Sequence, residues 1–197
     1  VLRGGLRVAL IGSVNAGKST LLNALAGYER AIVSSESGTT RDTIELAISR
    51  DGVTFTLIDT AGIRDTAHAI ERAGIERSLS EARAADVRIL VLDATRGVEQ
   101  LDVSMRSQLA EQSTQDTPIV VLTKADVANK WYSEELLCFA RTIGGRDPLI
   151  VSAETRQGID LLEREIIVQV RKQSSSGTAS FIITARQHAI LLELDHI

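Results

Sequence analysis

The stretch "GSVNAGKST" at residues 12–20 constrains the fold more than any other part of the chain. It follows the apolar run "LRVALIG" (6–12) and opens a helical pattern that ends near Gly27. Strand, tight loop and helix therefore come in direct succession, with the spacing G-x-x-x-x-G-K-[ST]. Glycines at 12 and 17 let backbone N–H groups curl inward. The helix N-terminus adds its own unpaired donors and partial positive charge, so the loop is a cradle for phosphate. Its expected nucleotide contacts are Asn15, Ala16, Gly17, Lys18, Ser19 and Thr20, with Lys18 reaching the β- and γ-phosphates.

Further along, short β-rich runs alternate with helical patterns: "TIELAIS" (43–49), "VTFTLID" (53–59), "VRILVLD" (87–93), "TPIVVLT" (117–123) and "PLIVSA" (148–153). The last three are almost continuously apolar, as strands covered on both faces are. "RDGV" (50–53) is an Asp-Gly turn that makes runs two and three an antiparallel hairpin. The expected architecture is α/β, a six-stranded, mostly parallel sheet with one antiparallel edge and helices on both faces. Val98, Leu101, Met105 and Leu109 share one helix face, Ile159, Leu162, Ile166 and Val170 another, and Ile75, Leu79 and Ala82 a third. After Lys172, "QSSSGT" reads as a flexible connector into a new helical pattern. Residues 1–172 are thus expected to form one domain, and 173–197 a linker and the start of a helical segment belonging to a second. Val1 stands where Met would open a complete chain, and the reading takes the sequence as a piece of a longer protein.

Composition removes several function classes. A formal net charge of −4 argues against binding nucleic acid by neutralising a run of phosphates, and six aromatic residues supply no stacking platform. Trp131 and Tyr132 read as packing residues. No apolar run approaches the roughly 20 residues that span a bilayer, and no signal peptide opens the chain, so a cytoplasmic setting is expected. The single cysteine, Cys138 in "ELLCFA", is expected as a small core residue.

Three further segments complete a nucleotide site. "LIDTAG" (57–62) ends a strand with Asp59, which can hold Mg²⁺ through a water while Ser19 supplies a hydroxyl, and the Gly62 N–H can meet the γ-phosphate. "SSESGTTRD" (34–42) has no strand or helix pattern and reads as a switch segment, where Thr39 or Thr40 offers a hydroxyl to Mg²⁺. "VVLTKAD" (120–126) ends a strand with Lys124 and Asp126. A carboxylate there accepts from guanine N1–H and the exocyclic amine together, a pair adenine lacks.

These residues resemble the elements of a GTPase: the phosphate loop, the switch segment "SSESGTTRD", the D-x-x-G of "DTAG", an N-K-x-D with Thr123 in place of Asn, and an S-A element in "VSAE" (151–154), with Ser152 a nucleotide contact and the Ala153 N–H facing the guanine oxygen. Five elements in this order resemble the Ras-like P-loop GTPase fold across residues 6–172. Threonine can bond the phosphate loop but not bridge in two directions as an amide does. Val14 stands where proline is usual, and removes no ligand.

Within that fold, "GTTRD" (38–42), "DTAGIR" (59–64) and "IERAGIERSLSEARAADVRILVLDA" (70–94) look like the G domain of the MnmE (TrmE) family, and "ITARQHAILLELDHI" is similar to the start of the helical segment that follows it. That resemblance implies GTP hydrolysis serving modification of the tRNA wobble uridine with the flavoprotein MnmG. The family's other domains are missing from the sequence, so tRNA would be met only through the full-length protein. The nearest rival is Der (EngA), a ribosome-assembly GTPase with a similar switch but two G domains in tandem. A non-hydrolysing GTP switch and a P-loop kinase or ATPase are the readings of other classes.

Ile63, right after Gly62, cannot orient water as the Gln of many small GTPases does. The resemblance implies that a potassium ion bound by Asn15 and by backbone oxygens of Ser34 and Glu36, with Thr39 grouped beside them, supplies the charge of an arginine finger. Thr40 then stays with Mg²⁺. It also selects Glu71, out of Arg64, Asp65, Thr66, His68 and Glu71, as the water-orienting carboxylate that acts when G domains pair as a homodimer. Arg41 is a further candidate, for phosphate or for a contact across the dimer.

Overall fold

The computed structural model describes residues 6–27, 44–59, 85–110, 117–128 and 132–176, with the backbone alone at 44, 45, 59, 175 and 176. In chain order the elements are β1 (Leu6–Ile11), α1 (Lys18–Ala26), β2 (Ile44–Arg50), β3 (Val53–Asp59), β4 (Val87–Asp93), a 3-10 turn (Val98–Gln100), α2 (Val103–Ala110), β5 (Ile119–Thr123), α3 (Ala125–Ala128), α4 (Glu134–Gly144), β6 (Leu149–Ile150) and α5 (Ile159–Ser176). The strands form a six-stranded sheet in the order β2-β3-β1-β4-β5-β6. Only β2 and β3 run antiparallel, at the edge; every other pair is parallel. The expected α/β architecture is the observed one.

Why the middle strands read as unbroken apolar runs is visible in the core. Val8 and Leu10 of β1, Ile89 and Val91 of β4, and Ile119 and Val121 of β5 pack on one face with Leu21 and Leu25 of α1 and Leu162, Ile166 and Val170 of α5. Their alternating neighbours Ala9, Ile11, Leu90, Leu92, Val120 and Leu122 pack on the other, with Met105 and Leu109 of α2 and Leu136, Ala140 and Ile143 of α4. With a side-chain period of two and helices on both sides, every position is interior.

The β2–β3 turn places Asp51 at φ 48 and Gly52 at φ 75, both left-handed, as a two-residue type I′ hairpin requires. Two long-range contacts then fasten this hairpin to α5. Arg50 pairs with Glu163 at 2.9 Å, and Arg171 donates to the Asp51 carbonyl at 3.1 Å. Burial pushes the Glu163 carboxyl up, by more than the Arg50 and Arg156 charges pull it down.

Three local expectations are corrected. Val98, Leu101, Met105 and Leu109 are all buried, but not on one helix. The chain is extended at Leu101, and Asp102 accepts the Met105 N–H at 2.7 Å to start α2 afresh, an N-cap that breaks the run in two. Cys138 is exposed, not a core residue. The inward face of α4 is Leu136, Ala140 and Ile143, and a residue two after Leu136 lies on the opposite side of a 3.6-residue helix. Residues 173–176, expected as connector, continue α5. The stripe Ile75, Leu79 and Ala82, and Trp131, lie outside the described residues. Tyr132 packs against the core, as expected.

Candidate nucleotide site

The phosphate loop hangs between β1 and α1, where β1 is held by β3 on one side and β4 on the other. Gly12, at φ 153, passes so close to β4 that a Cβ there would sit 2.2 Å from the Val91 carbonyl oxygen. The first glycine is therefore demanded by the neighbouring strand as well as by the turn. Asn15 takes φ 62, a left-handed conformation that asparagine tolerates better than most side chains, and is exposed. Gly17, at φ 90, caps α1 and has no side chain to close that helix end, so the N-terminus of α1 opens onto the loop.

Lys18 is buried and donates to the loop's own carbonyls, to Gly12 at 2.9 Å and Ser13 at 2.7 Å. Its charge is thus held at the cradle, where phosphate would meet it. The Ser13 hydroxyl is buried without a hydrogen-bond partner, an orphan inside the loop that a polar guest would satisfy. Ser19 and Thr20 follow in the first turn of α1, exposed.

Next to it, joined through Thr123, stands the segment expected to recognise the base. Thr123 ends β5 and its hydroxyl reaches the Ala16 carbonyl at 2.6 Å and that of Leu92 at 3.1 Å. The sequence expectation that this threonine bonds the phosphate loop is met, with its single hydrogen shared between two carbonyls. Lys124 sits at φ 57, and its ammonium pairs with Asp93 at 2.7 Å. Asp126 is exposed in the first turn of α3. The Ala125 N–H donates to the Val151 carbonyl at 3.1 Å, which ties this loop to the one after β6. There Ser152 is fully buried, accepting from the Thr155 N–H and donating its own N–H to the Gln157 carbonyl. Ala153 beside it is half-buried.

Asp93 was not singled out by the sequence. It is 2% exposed at the end of β4 and accepts at one oxygen from the Thr95 N–H and hydroxyl, at the other from Lys124. Burial pushes its carboxyl up, but the hydrogen bonds from Lys124 and Thr95, with the Lys124 charge, outweigh burial and hold it below the ordinary aspartate value. The signal available was an acidic residue closing an otherwise apolar strand, "VRILVLD".

The structure therefore brings Asn15, Ala16, Gly17, Lys18, Ser19, Thr20, Thr123, Lys124, Asp126, Ser152 and Ala153 to the loops, helix starts and strand end at one end of the sheet. Ser34, Glu36, Thr39, Thr40, Arg41, Gly62 and Glu71 lie outside the described residues. Asp59 is placed by its backbone, at the end of β3 and in register with Leu10 of β1. The magnesium donors expected here are oxygens, one at the head of α1 and one at the end of the strand beside β1, a set that suits a hard cation.

Residues 7–124 match the family model described as 50S ribosome-binding GTPase, well over half of the chain. The chain belongs to this GTPase family. It is 41% identical over 191 residues to the tRNA modification GTPase MnmE of Pseudothermotoga lettingae, covering 97% of this chain and 41% of that protein. To MnmE of Clostridioides difficile it is 35% identical over 188 residues, covering 95% of the chain and 39% of the protein. The resemblance to an MnmE G domain read from the sequence is thus upheld, while the chain spans about two fifths of the length of these relatives. Among solved structures, the FeoB G-domain from Methanococcus jannaschii matches with TM-score 0.57 and 26% identity, covering 86% of this chain and 99% of that one. A point variant of Aquifex aeolicus Era bound to GDP.AlF4- matches with TM-score 0.59 and 25% identity, over 83% and 56%. The Ras-like P-loop GTPase fold is the one these GTPases share. Among the described residues no helix is long and apolar enough to cross a membrane.

Proposed function

We propose that this GTPase domain hydrolyses GTP in a reaction stimulated by potassium and coupled to face-to-face pairing of two G domains. The protein to which it belongs would then serve modification of the tRNA wobble uridine, with a MnmG-type flavoprotein as partner, in the cytoplasm. What carries the reading is the phosphate loop joined to the base loop through Thr123 and Ala16, in a chain alike to MnmE over nearly its whole length.

In this reading the loop amides and Lys18 bind the phosphates, Asp126 accepts from the guanine edge, and Ser152 and Ala153 close the site over the guanine oxygen. Ser19, Thr40 and Asp59 would hold Mg²⁺, which would neutralise charge on the phosphates. Asn15, Ser34, Glu36 and Thr39 would hold potassium, which would supply positive charge at the phosphates, and Arg41 and Gly62 would act on the reacting phosphoryl group. Ile63 leaves the attacking water without a partner, and Glu71 supplies the carboxylate that orients it.

Steady-state GTP hydrolysis in KCl against NaCl, at several protein concentrations and with ATP as competitor, tests the proposal. Turnover should be low in sodium, rise in potassium, and rise more than in proportion to protein concentration. Equal rates in the two salts would remove potassium from the mechanism. Tight GTP binding without turnover in any salt would make the domain a non-hydrolysing switch.

A further inference from the structure

Asp93 is buried and charged, and its environment is more elaborate than a strand end requires. Its backbone N–H donates to the Gln100 carboxamide oxygen at 2.7 Å, and its carbonyl accepts from the Gln100 amide at 3.1 Å. Gln100 is itself buried and anchored to the Gly97 carbonyl at 3.0 Å. One carboxylate oxygen takes both Thr95 donors, at 2.9 and 2.6 Å, which leaves the other facing Lys124 at 2.7 Å. The carboxylate is fixed from three sides, and its second oxygen is aimed at one ammonium.

Lys124 is fixed at its other end too. Its backbone follows Thr123, bonded to the phosphate loop, and its carbonyl accepts from Val127 and Ala128 as α3 begins. A lysine side chain carries four rotatable bonds, and ordering it on ligand binding costs affinity. With both ends held, the four-carbon stem is ordered in advance, beside Asp126, on the loop that the proposed function assigns to the base.

We infer that Asp93 is a positioning residue for guanine-nucleotide binding, acting through Lys124 by pinning its ammonium and so preorganising its stem. The inference rests on the reading of the site as a GTP site. Its chemistry is non-covalent, a charge-assisted hydrogen bond whose loss frees a side chain.

The test is a double-mutant cycle on the GDP dissociation constant, titrated with a fluorescent GDP analogue. Asp93→Asn keeps the shape and the acceptor for Thr95 but removes the charge, and should weaken GDP about 10-fold. Lys124→Ala should weaken it as well. Asp93→Asn added to Lys124→Ala should then cost less than about twofold more, since its effect runs through the missing side chain. In turnover, KM for GTP should rise with the dissociation constant while kcat falls less than about twofold, whereas a loss of folded protein would lower kcat and leave KM. If Asp93→Asn fails to fold, Thr95→Val carries the same cycle, with about threefold weaker binding expected from the loss of one donor. Unchanged affinity in these variants, or full additivity with Lys124→Ala, overturns the inference. Absence of guanine-nucleotide binding by the parent protein would overturn the functional reading instead.

Discussion

The Thr123 hydroxyl donates to the carbonyl of Ala16 across 2.6 Å, joining the end of β5 to the phosphate loop over a sequence separation of 107 residues. Both partners are buried. The contact ties the phosphate loop directly to the end of β5.

Thr123→Val keeps the shape and deletes that donor, leaving two buried carbonyls short of a partner. A loss of about 1–3 kcal/mol in stability is expected, read as a lower melting temperature, together with weaker GDP binding. Thr123→Asn restores the amide usual in the N-K-x-D element and should bind GDP more tightly than the parent. Weaker binding by the asparagine variant would show that the hydroxyl is the better fit to this loop.

Gly12→Ala adds a methyl group 2.2 Å from the Val91 carbonyl oxygen, at a φ of 153 that side chains rarely adopt. The strand spacing or the loop must give way. The variant should lose on the order of 2 kcal/mol or more of stability, and GDP titration should show weakened binding in the fraction that folds.

Glu71→Ala is expected to slow GTP hydrolysis by ~10²-fold or more, the range of a lost acid–base group, with GDP affinity retained. Single-turnover kinetics in KCl measure the chemical step directly. Normal turnover would free Glu71 of the role proposed for it.

The Glu163 pair makes a prediction about pH with a definite sign. Because burial raises the Glu163 pKa in the folded state, its protonated form favours folding; that stability is complete below the unfolded glutamate pKa and fades as pH rises through the folded one. Glu163→Gln should flatten this part of the stability profile. At neutral pH it should melt no lower than the parent, despite losing the 2.9 Å pair with Arg50. A clear drop on substitution would mean that the ion pair outweighs the burial of its carboxylate.

The architecture was legible because periodicity and turn chemistry report local physics. The Asp-Gly turn, the buried runs of β4 and β5, and the stripe Ile159, Leu162, Ile166 and Val170 depend on backbone preference and burial, and each stands as read. Thr123 was legible for a different reason, since it stands at the Asn position of the N-K-x-D element that "VVLTKAD" resembles. Asp93 was not, because its importance lies in Thr95, Gln100 and Lys124, which come together only when the sheet forms. Cys138 failed for want of phase: an apolar neighbourhood says that a helix is buried, but only the angular position of Leu136 and Ala140 says which side. The break at Leu101 escaped because a capping aspartate can end one helical run and begin another without disturbing the buried spacing.

The position of β1 between two parallel neighbours has a consequence for how the domain opens. Val8 to Leu10 pair with β3 on one side and with β4 on the other, so these residues cannot exchange their amide hydrogens by fraying from an edge. Their exchange should follow only the rarest, most global opening, while the β2 edge exchanges sooner. The loop expected to hold a nucleotide is thus suspended from one of the strands that should open only with the whole domain.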